Sequence, residues 1–307
     1  MNSTSARRRL IFGTIVLLVV GFLLVVMGFV LLSYLAPLIT GKCVAEVVID
    51  YPLTIDGSPE TLVSSGYPSS EELAARIREL NTREDVGAVL FVINTGGGSV
   101  IATREIYDAI KELKKPKVAY FRETAASGGY YIATGTDYIV SEPYAITGNI
   151  GVVATVVSME SLFEKIGVNV TSVTSGVHKD MGSPYRNMTE EEIKIMESII
   201  LEVFEDFKSV VQHNRAGKLK IARFNEITDG RILSGKQALE AGLVDQLGNK
   251  NDAIMKAAEL GGITAKKPED VRICKIEVKP QGATLLSAET MLKSIGEHYQ
   301  SIGVFMR

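Results

Sequence analysis

Between Leu10 and Leu32 the chain carries no charged residue; the run is Leu, Ile, Val, Phe, Met and Gly with a single Thr. Such a run in lipid has to be helical, because a single apolar segment satisfies its backbone polar groups there only as a helix. At about 1.5 Å per residue it spans roughly 34 Å, enough for a hydrocarbon core of about 30 Å. A cleaved signal peptide has an apolar region of only about 7–15 residues. This run is longer, and no A-x-A site follows it. Gly41-Lys42-Cys43 also lacks the small residue that a lipoprotein signal places directly before its cysteine. Residues 10–32 are therefore expected to be an uncleaved transmembrane helix. Arg7, Arg8 and Arg9 precede the run and only Lys42 follows closely. That bias keeps residues 1–9 in the cytoplasm and puts the body on the far side of the cell membrane.

The leader also explains the charge. Without residues 1–40 the chain has 30 basic and 36 acidic groups, so a mildly acidic body follows a basic tip. With 307 residues, 46% of them hydrophobic, there is ample material for a core. Collagen-like, disordered and strongly nucleic-acid-binding classes are excluded. Cys43 and Cys274 are the only cysteines. They can pair in an oxidising compartment or stand as two unrelated thiols. With only His178, His213 and His298 beside them, no Cys/His metal constellation exists, and no metal or cofactor is expected.

Behind the leader the pattern alternates between strand and helix. Val44–Ile49 is a short β-branched run. Ser69 and Glu72 form a capping box for a helix over Ser70–Leu80, with Leu73, Ile77 and Leu80 at helical spacing. Val86–Ile93 is almost continuously apolar, as a strand buried on both faces is. Gly96-Gly97-Gly98 breaks it, and Val100–Leu113 continues as a helix closed by Lys114-Lys115-Pro116. Val118–Phe121 is another buried strand. The stretches Tyr138–Val140, Val152–Val157 and Val168–Val173 read as strands around a helix at Met159–Ile166. Thr189–His213 is a long amphipathic helix with Glu190, Glu191 and Glu192 at its positive end. Repeated β-turn-α units predict an α/β fold with a parallel sheet, and no linker divides residues 43–262.

Two glycine-rich turns at strand ends can carry chemistry. Asn94–Val100 (NTGGGSV) lets backbone amides approach an anion without Cβ obstruction. It equally fits a tight turn with no ligand. It is neither a P-loop nor a dinucleotide fingerprint. Thr124–Tyr131 (TAASGGYY) sets Ser127 among residues too small to cover it. Ser127 is either a helix N-cap or an exposed nucleophile. A nucleophile needs a base. His213 ends a helix and His298 lies in the tail, whereas Lys179 lies in a loop of small and apolar residues, Ser175–Pro184. Lowering a lysine from about 10.4 to near 7 takes roughly 4–5 kcal/mol of desolvation or like-charge repulsion. The role therefore requires a buried Lys179, and an exposed Lys179 would refute it; the alternative is a solvated loop lysine.

The chain resembles the signal peptide peptidases of the SppA type, membrane-anchored serine proteases with the ClpP/crotonase fold. Asn94–Val100 is similar to the family's N-S-P-G-G-G-V turn, with Gly96 where the family usually has proline. Ala125–Ala133 (AASGGYYIA) resembles the nucleophile segment almost letter for letter, and Ser175–Thr189 (SGVHKDMGSPYRNMT) the segment holding the lysine base. Thr147–Val152 (TGNIGV) and Gly230–Gly248 (GRILSGKQALEAGLVDQLG) resemble two further signatures. The likeness covers residues 43–262 and leaves 263–307 as an extension of unassigned role. It implies Ser127 as nucleophile and Lys179 as base, with the backbone amides of Gly97 or Gly98 and of Ser127 holding the oxyanion. It also implies cleaved signal peptides and similar hydrophobic peptides as substrates. Half-length members form rings with serine and lysine from neighbouring subunits, so a homo-oligomer is expected here. Three other readings share parts of this sequence. They are a clan-related protease trimming a membrane-protein partner, as the stomatin-associated proteases do, a crotonase-like acyl-CoA enzyme, and a catalytically silent scaffold.

Overall fold

The computed structural model describes residues 13, 15–31, 41–60 and 65–278. Residues 15–31 form helix α1, whose apolar side chains are exposed along its whole length, Leu17, Phe22 and Phe29 among them. Residues 10–12, 14 and 32 of the expected span lie outside the described residues. No helix among the described residues is long and apolar enough to cross a membrane.

The body is an eight-stranded sheet in the order β6-β5-β3-β2-β1-β8, with β4 pairing both β3 and β7. Its strands are β1 (Cys43–Ile49), β2 (Val86–Thr95), β3 (Lys117–Ala126), β4 (Tyr138–Ser141), β5 (Ile146–Gly148), β6 (Ile232–Ser234), β7 (Gln246–Leu247) and β8 (Ile273–Ile276). All pairings are parallel except β5 with β6. Parallel neighbours need crossovers, and helices supply them. They are α2 (Ser70–Glu79), α3 (Val100–Glu112), α4 (Gly128–Ala133), α5 (Glu160–Lys165), α6 (Glu190–Asn214), α7 (Ile221–Ile227), α8 (Gly235–Ala241) and α9 (Lys250–Leu260).

The near-continuous apolar run in β2 has a direct cause, because both faces of the sheet are covered. Val89, Phe91 and Ile93 point into a core with α2, α3 and α4, where Leu73, Ile77, Ile106 and Tyr130 are fully enclosed. Ala88, Leu90 and Val92 point the other way, against Ala253, Ile254 and Ala257 of α9. The alternation is the ordinary period of a strand. The Ser69–Glu72 capping box at α2 forms as predicted, and a second, Thr189 with Glu192, opens α6.

Two expectations fail. Val152–Val157 and Val168–Val173 are not strands; no strand among the described residues pairs with them to complete a ladder, and they flank α5 as an irregular arm. The sheet also continues past residue 262. β8 adds beside β1, with Ala45 opposite Cys274, and Cys43 and Cys274 form a disulfide across this edge. Residues 279–307 of the extension lie outside the described residues.

Candidate active site

Ser127 stands at the junction of β3 and α4 with φ 52° and ψ −122°, a left-handed backbone that a non-glycine residue adopts at a cost of about 1–3 kcal/mol. The surroundings impose that conformation. β3 pairs with β5 up to Ala126 opposite Gly148, and the Ser127 N–H then donates to the Gly148 carbonyl at 2.9 Å. On the other side the Ser127 carbonyl accepts from the Tyr131 N–H at 2.9 Å, which starts the helix. The side chain makes no capping hydrogen bond. The cap reading of this serine is therefore set aside; the residue lines a cleft, and its hydroxyl has no hydrogen-bond partner among the described residues.

The glycine turn packs directly against the serine. Gly97 has φ 98°, and a Cβ there would run into the Gly128 backbone, so only glycine lets turn and helix approach this closely. Leu53 staples the turn from outside: its N–H donates to the Gly97 carbonyl at 3.1 Å, and its carbonyl accepts from the Ser99 N–H at 2.8 Å.

The distribution of amides corrects the expected oxyanion hole. The Ser127 amide is already engaged by Gly148, because the β3–β5 ladder runs as far as that residue. The Gly97 amide donates to Thr95 Oγ1 at 3.2 Å. Gly98 and Gly128 remain. Both line the cleft with Ser127, and neither amide has a hydrogen-bond partner among the described residues. Gly128 was missed in the sequence, although a signal was present. The first amides of any helix lack intrahelical acceptors, and α4 begins on Gly128. Two unengaged amides beside a free hydroxyl are what acyl transfer requires of a backbone.

The cleft holds about 840 Å³ between the start of α3, the middle of α6 and residues 149–153. Its walls are largely apolar, including Val100, Ile101, Leu201, Phe204 and Phe207. Its charged residues are Arg104, Glu202, Asp206 and Asp229, and Asp229 is held by Arg231. Among the described residues, no lysine or histidine lines it. Lys179 sits in a run of turns after the arm, exposed to solvent. Lys179 is not among the residues that line the Ser127 cleft, and the burial that a neutral lysine needs is not met within the single chain. His213 is exposed on the last turn of α6, His178 packs near Glu191 and Glu192, and His298 lies outside the described residues.

The late signature, Gly230–Gly248, is structural. Gly242 takes the left-handed C-cap of α8, and Asp245 binds Arg215 at 2.8 and 3.0 Å and Lys218 at 2.8 Å. Asp245 also accepts from the Ile139 N–H at 2.8 Å, so one carboxylate joins the end of α6 to β4.

Comparison with known proteins agrees with this geometry. The sequence profile of peptidase family S49 matches residues 109–264, and that of Clp protease matches residues 65–145. A provisionally named protease of Methanocaldococcus jannaschii is 38% identical over 223 residues, 71% of this chain and 70% of that one. A provisionally named signal peptide peptidase SppA of Enterococcus faecium is 34% identical over 202 residues, 65% and 58% of the two chains. Protease 4 of Salmonella typhi is 31% identical over 231 residues, 74% of this chain but only 36% of its own length.

Proposed function

The chain belongs to peptidase family S49 and is a serine peptidase, and from that premise we propose a membrane-anchored endopeptidase of the SppA type that degrades released signal peptides and similar hydrophobic peptides. The observation that carries the reading is Ser127, uncapped in a left-handed backbone between two unengaged amides. Ser127 attacks a peptide carbonyl, and the amides of Gly98 and Gly128 receive the developing oxyanion, each worth about 3–4 kcal/mol by analogy with other oxyanion donors. Lys179, supplied by a neighbouring copy, takes the serine proton and returns it to the leaving amine. Water then releases the acyl group.

The apolar walls of the cleft favour hydrophobic peptides over charged ones. Assembly is supported by the arm, where Val153, Val173 and Val177 are 83%, 94% and 83% exposed, an arrangement that water disfavours. The anchor rests on the uncharged leader and on the exposed apolar surface of α1. Placement of the body outside the cytoplasm rests on Arg7–Arg9 and on a disulfide suited to an oxidising compartment.

The substrate class is tested by giving the full-length protein in lipid vesicles two substrates side by side, released signal peptides and intact membrane proteins. The peptides are expected to be cleaved faster. Preferential cleavage of an intact membrane protein would replace this reading with that of a partner-trimming protease.

A further inference from the structure

The loop that carries Lys179 has no regular structure of its own, yet it is firmly tied down. Arg186 is the tie. Its guanidinium grips Asp180, the residue directly after Lys179, at 3.0 Å through Nε and 2.6 Å through Nη2. The same group grips Glu192 at 2.8 and 2.6 Å and donates to the Asn187 carbonyl at 3.0 Å. Glu192 is a fixed point, since its side chain is only 1% exposed and it closes the capping box of α6 with Thr189. On the other side of Lys179, the His178 ring lies 3.7 Å from Glu192 and 3.8 Å from Glu191. Both neighbours of the lysine thus converge on the first turn of α6. Further along, the same helix supplies Leu201, Phe204 and Phe207 to the wall of the Ser127 cleft. Surface ion pairs are ordinarily weak, but a bidentate fork on two carboxylates, one of them buried, sets a geometry.

We propose that Arg186 is the positioning residue of the catalytic base: by gripping Asp180 and Glu192 together it fixes Lys179 on the first turn of α6 and neutralises the carboxylates beside it. The proposal rests on the reading of Lys179 as the base. Neutralisation matters because Lys179 must work without its proton. Hydrogen bonds to Arg186 pull the Glu192 carboxyl down to about 2 and hold that of Asp180 below its ordinary value, so both are ionised in the working enzyme. With Arg186 gone, two negative charges would favour the ammonium form of Lys179. The other charges on this patch are Glu160 of α5, whose carboxylate accepts from the Asn187 N–H, and Glu190 and Lys194 of α6.

The test uses the full-length, assembled protein and a fluorogenic apolar peptide, with kcat and KM followed against pH. Arg186→Met is expected to lower kcat about tenfold or more, leave KM within about twofold, and move the acid limb of activity up by about half a unit or more. Asp180→Asn removes one carboxylate while Arg186 stays, so its acid limb is expected to move down. Opposite shifts are a signature that a purely structural tie would not give. A folded, assembled Arg186→Met protein with wild-type kcat and an unmoved limb would overturn the proposal. If Arg186→Met does not fold, an unmoved or upward limb in Asp180→Asn overturns it instead. Lys179→Ala runs alongside: retained activity there defeats the base assignment itself, whereas its loss together with silent Arg186 and Asp180 variants defeats only the positioning role.

Discussion

Ser127 is strained because three separate bonds agree on where it must be: the ladder from β5, the first turn of α4, and the close packing of Gly97 on Gly128. The strain aims the hydroxyl into the cleft and leaves the two neighbouring amides unengaged. Gly98 gives the sharpest test at this scale, since the Leu53 carbonyl occupies the place where a Cβ would go. Gly98→Ala must displace either Leu53 or the turn, moving an oxyanion donor by some tenths of an ångström. The predicted result is a fall in kcat of about 10²–10³-fold with folding and assembly retained. Near-normal kcat in that variant would remove Gly98 from the oxyanion hole. The serine itself was legible as one of two things, cap or nucleophile. Sequence could not choose, because the deciding quantity is a backbone angle imposed by β5, twenty residues downstream.

Among the elements, the ones marked by local chemistry were legible in the sequence. The Ser69–Glu72 capping box starts α2 where the residues indicate, and α6 starts after Thr189 with its three glutamates in the first turn, as expected. β2 was readable because burial on both faces leaves an unbroken apolar run. The short and late strands were not. β5, β6 and β7 are two or three residues long and exist through their partners, and β8 lies beyond the segment that resembled the family. Val152–Val157 failed in the opposite sense: its composition suits a strand, but a strand also needs a neighbour. The tie between α6 and β4 carries a stability prediction. Burial acts to raise the Asp245 carboxyl, but the bonds from Arg215 and Lys218 outweigh it and hold the group below its ordinary value. A depressed carboxyl contributes stability above its unfolded pKa of about 3.9 and loses it as pH falls through the folded value. Asp245→Asn leaves Arg215, 2% exposed, without its counter-charge and is expected to cost about 3–5 kcal/mol at pH 7. The difference from wild type should shrink as pH falls below about 4. Denaturant unfolding at pH 7 and pH 3 measures both; an equal gap at the two values would show that Asp245 stabilises by shape alone.

At the scale of the whole molecule, the proposed reading makes the protomer one half of a shared site. The Ser127 cleft offers two unengaged amides and largely apolar walls with no lysine or histidine among the described residues, while Lys179 lies exposed in the loop that Arg186 ties to α6. Between them runs an arm whose apolar side chains face solvent in the single chain. In the proposed reading the uncharged leader adds a surface for lipid on which copies meet. Sequence resemblance raised the shared site as an expectation; what favours proposing it is that Lys179 is exposed and not among the residues lining the Ser127 cleft. The most direct measurement mixes two dead proteins. Ser127→Ala and Lys179→Ala are each expected to lose activity by about a thousandfold or more on an apolar peptide. Co-assembled, they should regain a measurable fraction of wild-type activity, because intact serine and intact lysine then meet across an interface. If the mixture stays as inactive as its parts while still assembling, Ser127 and Lys179 do not act between copies, and the account of the site is wrong.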